Sequence, residues 1–422
     1  MAEITFLGSC REIGRAGFLI EDGGESFLVD YGTKFQDPPA FPDMIPTENL
    51  QGVAVTHAHL DHSGGLPRIL QEDSDISLFC TPATRDLSII LLHDMHNLSR
   101  GRVPFDRHDI MRVKRQCIPT SYEETVPLGH SFEMTLFNAG HIPGSAMVSV
   151  RVNGKRILFT GDFNAIESRL NPGARNNLPR HDIVVTESTY ARRVNPPRDE
   201  IERNLIETIE DTMRRGGVVL IPAFAVGRSQ EIMCILERYG ITQKYPVYID
   251  GLARDVNQIL VRHPQYIMSP HLFERAVKRI HIIEDHRDRV RAVKRGGVII
   301  SPAGMLKGGA SHSYFKMVHD DERNSIVLVS FQIPGTPGAE LLARKKVTVG
   351  RRTFDVEADI YYHHLSSHSD SKGLLEHLLR IPGDPLFYVV HGESESCDAL
   401  ADQLQKRGRR AVVPETNEAF AL

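Results

Sequence analysis

Tryptophan is absent from the 422 residues, and cysteine is sparse. Cys10, Cys80, Cys117, Cys234 and Cys397 are scattered with no CxxC pair. That pattern argues against a disulfide scaffold or a thiolate zinc site, and it fits a reducing cytoplasm. No apolar run is long enough to span a bilayer, and the N-terminus lacks a basic region followed by an apolar stretch. Neither a transmembrane segment nor a signal peptide is therefore expected. Positive charge is not in excess: 50 Lys and Arg against 54 Asp and Glu give a net charge of −4. No global basic field announces a nucleic-acid partner, although local patches remain open. Internal repeats, low-complexity segments and long linkers are also missing. What is present is ordinary for a soluble globular protein, with 41% hydrophobic and 25% charged residues. The length allows two or three domains, or one large domain with an insertion.

Histidine and aspartate, by contrast, are concentrated in one place. Within Val53-Ala54-Val55-Thr56-His57-Ala58-His59-Leu60-Asp61-His62-Ser63-Gly64-Gly65-Leu66, three imidazoles and one carboxylate fall inside six positions. Val53 and Val55 lead in like a buried strand, and two glycines and Pro67 lead out toward a helical run. The cluster thus sits on a strand-to-helix turn, and its ligand types suit zinc and similar divalent metals. His57 and His59 can point the same way from an extended loop, with Asp61 and His62 placed to serve a second ion.

Three further candidates also lie where strands run out. His141 follows the strand expected at 132–137, Asp162 ends the run 156–160, and His391 ends the run 386–390. Ligands from several strand ends converge on one edge of a β core. Their number fits two metals: His57, His59 and His141 for one, and Asp61, His62 and His391 for the other, with Asp162 bridging. Two metals about 3.5–4 Å apart suit hydrolytic displacement at phosphorus. After residue 187 the texture changes. The helical stretch 199–215 is followed by apolar strands at 218–221, 247–249, 297–300 and 324–329, the pattern of a doubly wound α/β unit. The stretch 85–111 reads as helix broken by Gly101 and Pro104, with His93 and His96 as helix-face residues.

The His57-x-His59-x-Asp61-His62 run with His141, Asp162 and His391 resembles the metallo-β-lactamase superfamily, and specifically its β-CASP nuclease branch. Glu187-Ser188-Thr189-Tyr190, Leu365-Ser366-Ser367-His368-Ser369-Asp370 and Val389-Val390-His391-Gly392-Glu393 resemble the three motifs of that branch. Pro222 to Glu231 and Ser301-Pro302-Ala303-Gly304-Met305 are similar to its insertion. The likeness covers nearly the whole chain and is strongest to archaeal and bacterial homologues of the endonuclease subunit of the cleavage and polyadenylation specificity factor. Ribonuclease J is a more distant cousin.

The resemblance implies an α/β fold: an αββα sandwich with an inserted α/β β-CASP domain and the active site in the cleft between them. The expected division is 1–187 and 362–422 for the metallo-β-lactamase domain and 188–361 for the insertion. It implies a zinc-dependent ribonuclease acting by two-metal activated water, with two zinc ions or another divalent metal such as manganese. His391 points to RNA, because the family's third motif carries His in RNA-directed members. His368 is expected to donate a proton to the departing 3′ oxygen, with Glu187 orienting it and raising its pKa. Asp61 is expected as both a ligand and a catalytic carboxylate. Asp30 is expected to support the ligand loop, and His363 and His364 to be bystanders. Arg228 and Ser229, at a helix entry, and Ser301 and Gly304 are candidates for substrate phosphate. Arg291, Lys294 and Arg295, and Arg351 with Arg352, read as solvated faces.

Neither a KH-like N-terminal extension nor a C-terminal domain of ribonuclease J type is expected, which leaves a minimal catalytic unit in the cytoplasm. Its expected partner is single-stranded RNA, not a membrane; a homodimer and other RNA-processing proteins are open additions. Endonucleolytic cleavage in mRNA 3′-end processing, RNA maturation or decay is the leading expectation. A 5′→3′ exoribonuclease of ribonuclease J type and an inactive scaffold subunit are the alternatives.

Overall fold

The computed structural model describes residues 2–349 and 352–422. The chain divides into two compact units. One comprises Met1–Glu167, Asn171–Val194 and His368–Leu422, and the other comprises Ser168–Leu170 and Asn195–Ser367. The passages fall at 194/195 and 367/368, a few residues beyond the 187/188 and 361/362 divisions expected from sequence. The turn after Glu187 stays with the first unit because Ser188 is tied to its neighbouring strand. The Ser188 backbone N–H donates to the His391 carbonyl at 3.3 Å, and its hydroxyl donates to the Val390 carbonyl at 2.9 Å.

The first unit holds two seven-stranded sheets. One runs, in spatial order, Ala419–Ala421, Glu3–Phe6, Gly17–Asp22, Glu25–Tyr31, Leu50–Ala54, Leu78–Cys80 and Cys117–Pro119. The other runs Arg410–Val412, Leu386–Val390, Ile183–Glu187, Lys155–Phe159, Ala146–Val152, Phe132–Asn138 and Thr125–Leu128. Side chains alternate across each strand. Phe27 and Val29 of one sheet share a core with Ile157, Phe159, Ile183, Val185, Tyr388 and Val390 of the other. Leu28 and Tyr31 point instead to a second core with the helices Leu66–Glu72 and Pro82–Ser99, through Leu70 and Leu92. Leu158, Val184, Phe387 and Val389 meet the helices Ser371–Leu379 and Ser394–Lys406, through Leu374 and Leu400. The result is helix, sheet, sheet, helix. Central strands buried on both faces are largely apolar, which is why Ile183–Val185 and Leu386–Val390 read as continuous runs.

The stretch 85–111 resolves into two helices. Pro82–Ser99 is capped by Thr81, whose side chain accepts from the Thr84 N–H. Arg107–Gln116 is capped by a reciprocal Asp106–Asp109 box. His93 and His96 lie on the first of them.

The second unit is built on a six-stranded, wholly parallel sheet. Its order is His281–Ile282, Val247–Ile249, Gly297–Pro302, Val218–Ala223, Ser325–Leu328 and Asp359–Tyr362. Val219, Ile221 and Val298 face one helical layer, and Val218, Leu220 and Ile299 face the other. A separate hairpin pairs Lys346–Val349 with Arg352–Asp355. Arg352 is exposed there, and Arg351 lies outside the described residues. Arg291, Lys294 and Arg295 are exposed on the helix His286–Arg295. Among the described residues, no helix is long and apolar enough to cross a membrane.

Candidate metal centre

The predicted ligands arrive from five places in the chain and meet at one edge of the first unit's two sheets. His57 and His59 follow the strand Leu50–Ala54, and Asp61 and His62 form a single helical turn, Leu60–Ser63, for which His59 is the cap. That turn approaches the chain just past the strand Glu25–Tyr31 so closely that a Cβ on Gly32 would lie 1.7 Å from the Asp61 carbonyl oxygen. His141, Asp162 and His391 come from the loops after Phe132–Asn138, Lys155–Phe159 and Leu386–Val390. His391 sits at φ 49°, in the left-handed region, with its N–H donating to the Ser9 carbonyl at 2.7 Å.

Two ligand groups result. His57, His59, His141 and Asp162 can offer one atom each within 4.8 Å of one another, and so can Asp61, His62, Asp162 and His391. Asp162 belongs to both: Oδ2 lies 3.6 Å from His57 Nε2 and 3.7 Å from His141 Nε2, and Oδ1 lies 3.4 Å from His62 Nε2 and 3.1 Å from His391 Nδ1. Asp61 Oδ2 lies 3.5 Å from His391 Nε2.

These residues fit divalent metal. His57 Nε2, His62 Nε2, His391 Nε2 and Asp162 Oδ1 are buried with no hydrogen-bond partner. Leaving such atoms unsatisfied costs about 1–3 kcal/mol each, so a cluster of four aimed at common points calls for an occupant. Burial holds His57 well below the ordinary imidazole value and lowers His59 as well, which keeps their lone pairs available. Burial also opposes charge on His62, but Asp162 and Asp30 outweigh it and raise that ring's pKa.

Behind the ligands stands Asp30, fully buried and itself at φ 58°. Its Oδ2 accepts from His62 Nδ1 at 2.7 Å and from the Thr56 hydroxyl at 2.8 Å, and its Oδ1 accepts from the Thr56 backbone N–H. The Thr56 hydroxyl oxygen is also 3.1 Å from His57 Nδ1. Sequence reasoning overlooked Thr56. Its signal was the position, between the last strand valine and the first histidine.

A third group, Asp162, Glu187 and His368, adjoins the first two. His368 Nδ1 meets Glu187 Oε1 at 2.9 Å and Oε2 at 3.0 Å, while its Nε2 faces Asp162 Oδ2 at 4.0 Å. Glu187 is fixed in turn by the backbone N–H groups of Phe163 at 2.8 Å and Thr189 at 3.3 Å. Burial disfavours charge on His368, but the Glu187 and Asp162 carboxylates overcome it and raise the ring's pKa. The Tyr190 ring packs edge-on against His368 at 5.3 Å between centroids, another contact that the sequence did not announce.

The phosphate candidates lie in the second unit. Gly227, at φ 81°, opens the helix Arg228–Arg238. Arg228 Nη2 donates to the Ser367 hydroxyl at 3.0 Å, and the buried Ser229 hydroxyl donates to the Phe224 carbonyl at 2.7 Å. Ser301 is at the end of the strand Gly297–Pro302 with a buried hydroxyl, and the Gly304 carbonyl accepts from Gln332 Nε2 at 3.1 Å. His363 pairs with the Thr208 hydroxyl and His364 with Asn195, both inside the second unit.

Comparison with known proteins agrees with this architecture. The Beta-Casp domain family model matches residues 229–341, and the model of a Zn-dependent metallo-hydrolase RNA specificity domain matches residues 353–414. The family model of the anti-Pycsar protein Apyc1 matches residues 3–194. RNase aCSPSF2 of Saccharolobus solfataricus is 32% identical over 99% of this chain and 85% of its own length. The chain belongs to the β-CASP branch of the metallo-β-lactamase superfamily. Within that branch, the transcription termination factor FttA of Pyrococcus abyssi is 35% identical over 96% of this chain and 68% of its own. A crystal structure of an Enterococcus faecalis protein of unknown function superposes with a TM-score of 0.62 over all of both chains at 14% identity, a likeness of fold.

Proposed function

We propose that the chain is a metal-dependent ribonuclease that hydrolyses phosphodiester bonds of single-stranded RNA. The observation that carries this reading is the pair of ligand groups sharing Asp162, with a carboxylate-held histidine beside them. Two divalent ions, zinc in the leading reading and manganese as the alternative, would be held by His57, His59, His141 and Asp162, and by Asp61, His62, Asp162 and His391. Bound there, such ions supply Lewis acidity toward phosphoryl oxygens and lower the pKa of water. Asp30 fixes His62, and through Thr56 it also fixes the ring of His57.

His368 is the proton donor in this reading. A carboxylate can only accept, so Glu187 fixes the proton on Nδ1 and aims Nε2 toward the ligand groups. Held protonated, Nε2 gives its proton to the departing 3′ oxygen and leaves a 3′ hydroxyl and a 5′ phosphate. Arg228, with Ser229, Ser301 and Gly304, is the proposed contact for RNA phosphate, since a guanidinium at a helix start suits an anion. The relatives named RNase and transcription termination factor support RNA as the substrate class.

The test is cleavage of an RNA labelled at either end, by wild type and by Asp162→Ala of unchanged fold. Internal fragments lost in the variant establish the expected endonuclease. Mononucleotides released progressively from the 5′ end would make it an exonuclease. Cleavage retained in Asp162→Ala would refute the two-group reading, and an inert metal-loaded wild type would favour a scaffold subunit.

A further inference from the structure

The five cysteines are far apart in sequence, yet two of them meet. Cys80 ends the strand Leu78–Cys80, and Cys117 opens the parallel neighbour Cys117–Pro119. Their sulfur atoms are 2.9 Å apart across 37 positions of chain, within about 1 Å of a disulfide bond length of about 2.05 Å. In the strand register Cys80 faces Pro119 and Cys117 faces Leu78, so the two sulfur atoms meet on the diagonal between the strands. Cys80 is buried and Cys117 half-buried, so an oxidant reaches the second sulfur first. The other three are buried and differently engaged: Cys10 Sγ lies 3.6 Å from the Gly8 carbonyl, Cys397 Sγ lies 3.4 Å from the Gly392 carbonyl, and Cys234 is deep in the second unit.

From this juxtaposition of Cys80 and Cys117 we infer that the pair is a modification site: a dithiol converted reversibly to an intramolecular disulfide by two-electron oxidants of the peroxide class. The Cys117 thiolate attacks one peroxide oxygen, the O–O bond breaks, and the sulfur becomes a sulfenic acid as hydroxide leaves. The Cys80 sulfur then attacks the sulfenic sulfur, the S–S bond forms, and water departs with the Cys80 proton. Two thiols have lost two electrons and two protons, and one peroxide has become two waters.

The location gives the bond a consequence. Thr81, next in the chain to Cys80, donates its hydroxyl to the Gly144 carbonyl at 2.7 Å, and Thr84 donates to the same oxygen at 3.0 Å. Gly144 lies three residues beyond His141, on the turn that presents it. The disulfide therefore ties down both ends of the segment 81–116, whose first helical turn braces the His141 loop.

The experiment treats the full-length, metal-loaded protein with hydrogen peroxide, removes the excess, and counts thiols in denaturant. Five thiols are expected before treatment and three after, with five restored by dithiothreitol. Peptide mapping without reductant should join the Cys80 and Cys117 peptides. Cys117→Ser, checked for fold by circular dichroism, should keep all four of its thiols. Five thiols persisting in the wild type would overturn the inference. So would recovery of the lost thiols as sulfinic acid, a crosslink to another cysteine, or equal thiol loss in Cys117→Ser.

Discussion

Glu187 grips His368 through both carboxylate oxygens, at 2.9 and 3.0 Å from a single ring nitrogen. Backbone N–H groups hold those same oxygens from behind, so the ring has one orientation and one tautomer. His368→Ala should reduce single-turnover RNA cleavage by about 10²–10⁴-fold, the usual range for a lost acid or base. Its metal content, measured by atomic emission, should equal that of wild type. Glu187→Gln should fall between the two, because the amide oxygen still accepts from Nδ1 without the charge. A parallel loss of metal in His368→Ala would mark the ring as a ligand instead.

Asp30 touches no candidate reacting atom, yet it organises His62 and Thr56 together. Asp30→Asn should weaken metal affinity by about 10–100-fold, the usual cost of losing a carboxylate behind a ligating histidine. Competition with a chromophoric chelator reads this directly. Unchanged affinity would assign Asp30 to the fold alone.

Gly32 is required by close approach, not by backbone angle. An alanine Cβ there would strike the Asp61 carbonyl carbon at 2.1 Å as well as its oxygen. Gly32→Ala should displace the turn carrying Asp61 and His62, lower the melting temperature, and reduce metal binding in the second ligand group before the first. A variant with wild-type melting and full metal content would show that the strand can yield.

His377 and His181, each pushed down to about 4 by burial, share the acid sensitivity. His377 is buried against the Phe163 ring, with no hydrogen-bond partner on either nitrogen, and burial, then Arg380, pushes its pKa down to about 4. The unfolded chain takes up that proton near pH 6.5 and the folded chain does not, so stability falls as pH drops from about 6.5 to about 4. The loss approaches about 3 kcal/mol from this group. Chemical denaturation across that interval should show the decline, and His377→Leu should make it shallower, the remainder coming from His181.

Much of the architecture could be read because the physics is local. The apolar runs ending at Val390 and Phe159 announce buried strands, and His391, directly after the first, and Asp162, three residues after the second, are placed by the strands' ends. The dense run from His57 to His62 needs no partner elsewhere to be noticed. What escaped the sequence is what depends on distant chain. Thr56 matters through Asp30, 26 positions away. The tripeptide Ser168–Leu170 belongs to the second unit because Glu231 accepts from the Ser168 hydroxyl and from the backbone of Arg169 and Leu170. The contact of Cys80 with Cys117 arises only when the edge strand Cys117–Pro119 pairs with Leu78–Cys80. Glu231 is buried and also paired with Arg198, which holds its carboxyl below the usual range against the cost of burial. Nothing in its helical setting distinguishes it from a solvent-facing glutamate.

The strand Ile183–Glu187 pairs in parallel with Leu386–Val390, and nearly two hundred residues lie between them. During synthesis the first of these strands waits, with one hydrogen-bonding edge unfilled, until nearly two hundred further residues have been made. His391 emerges just after its strand, so the second ligand group cannot be completed on a truncated chain. A chain that stops before His391 lacks one member of the second candidate ligand group, however well its earlier strands have folded.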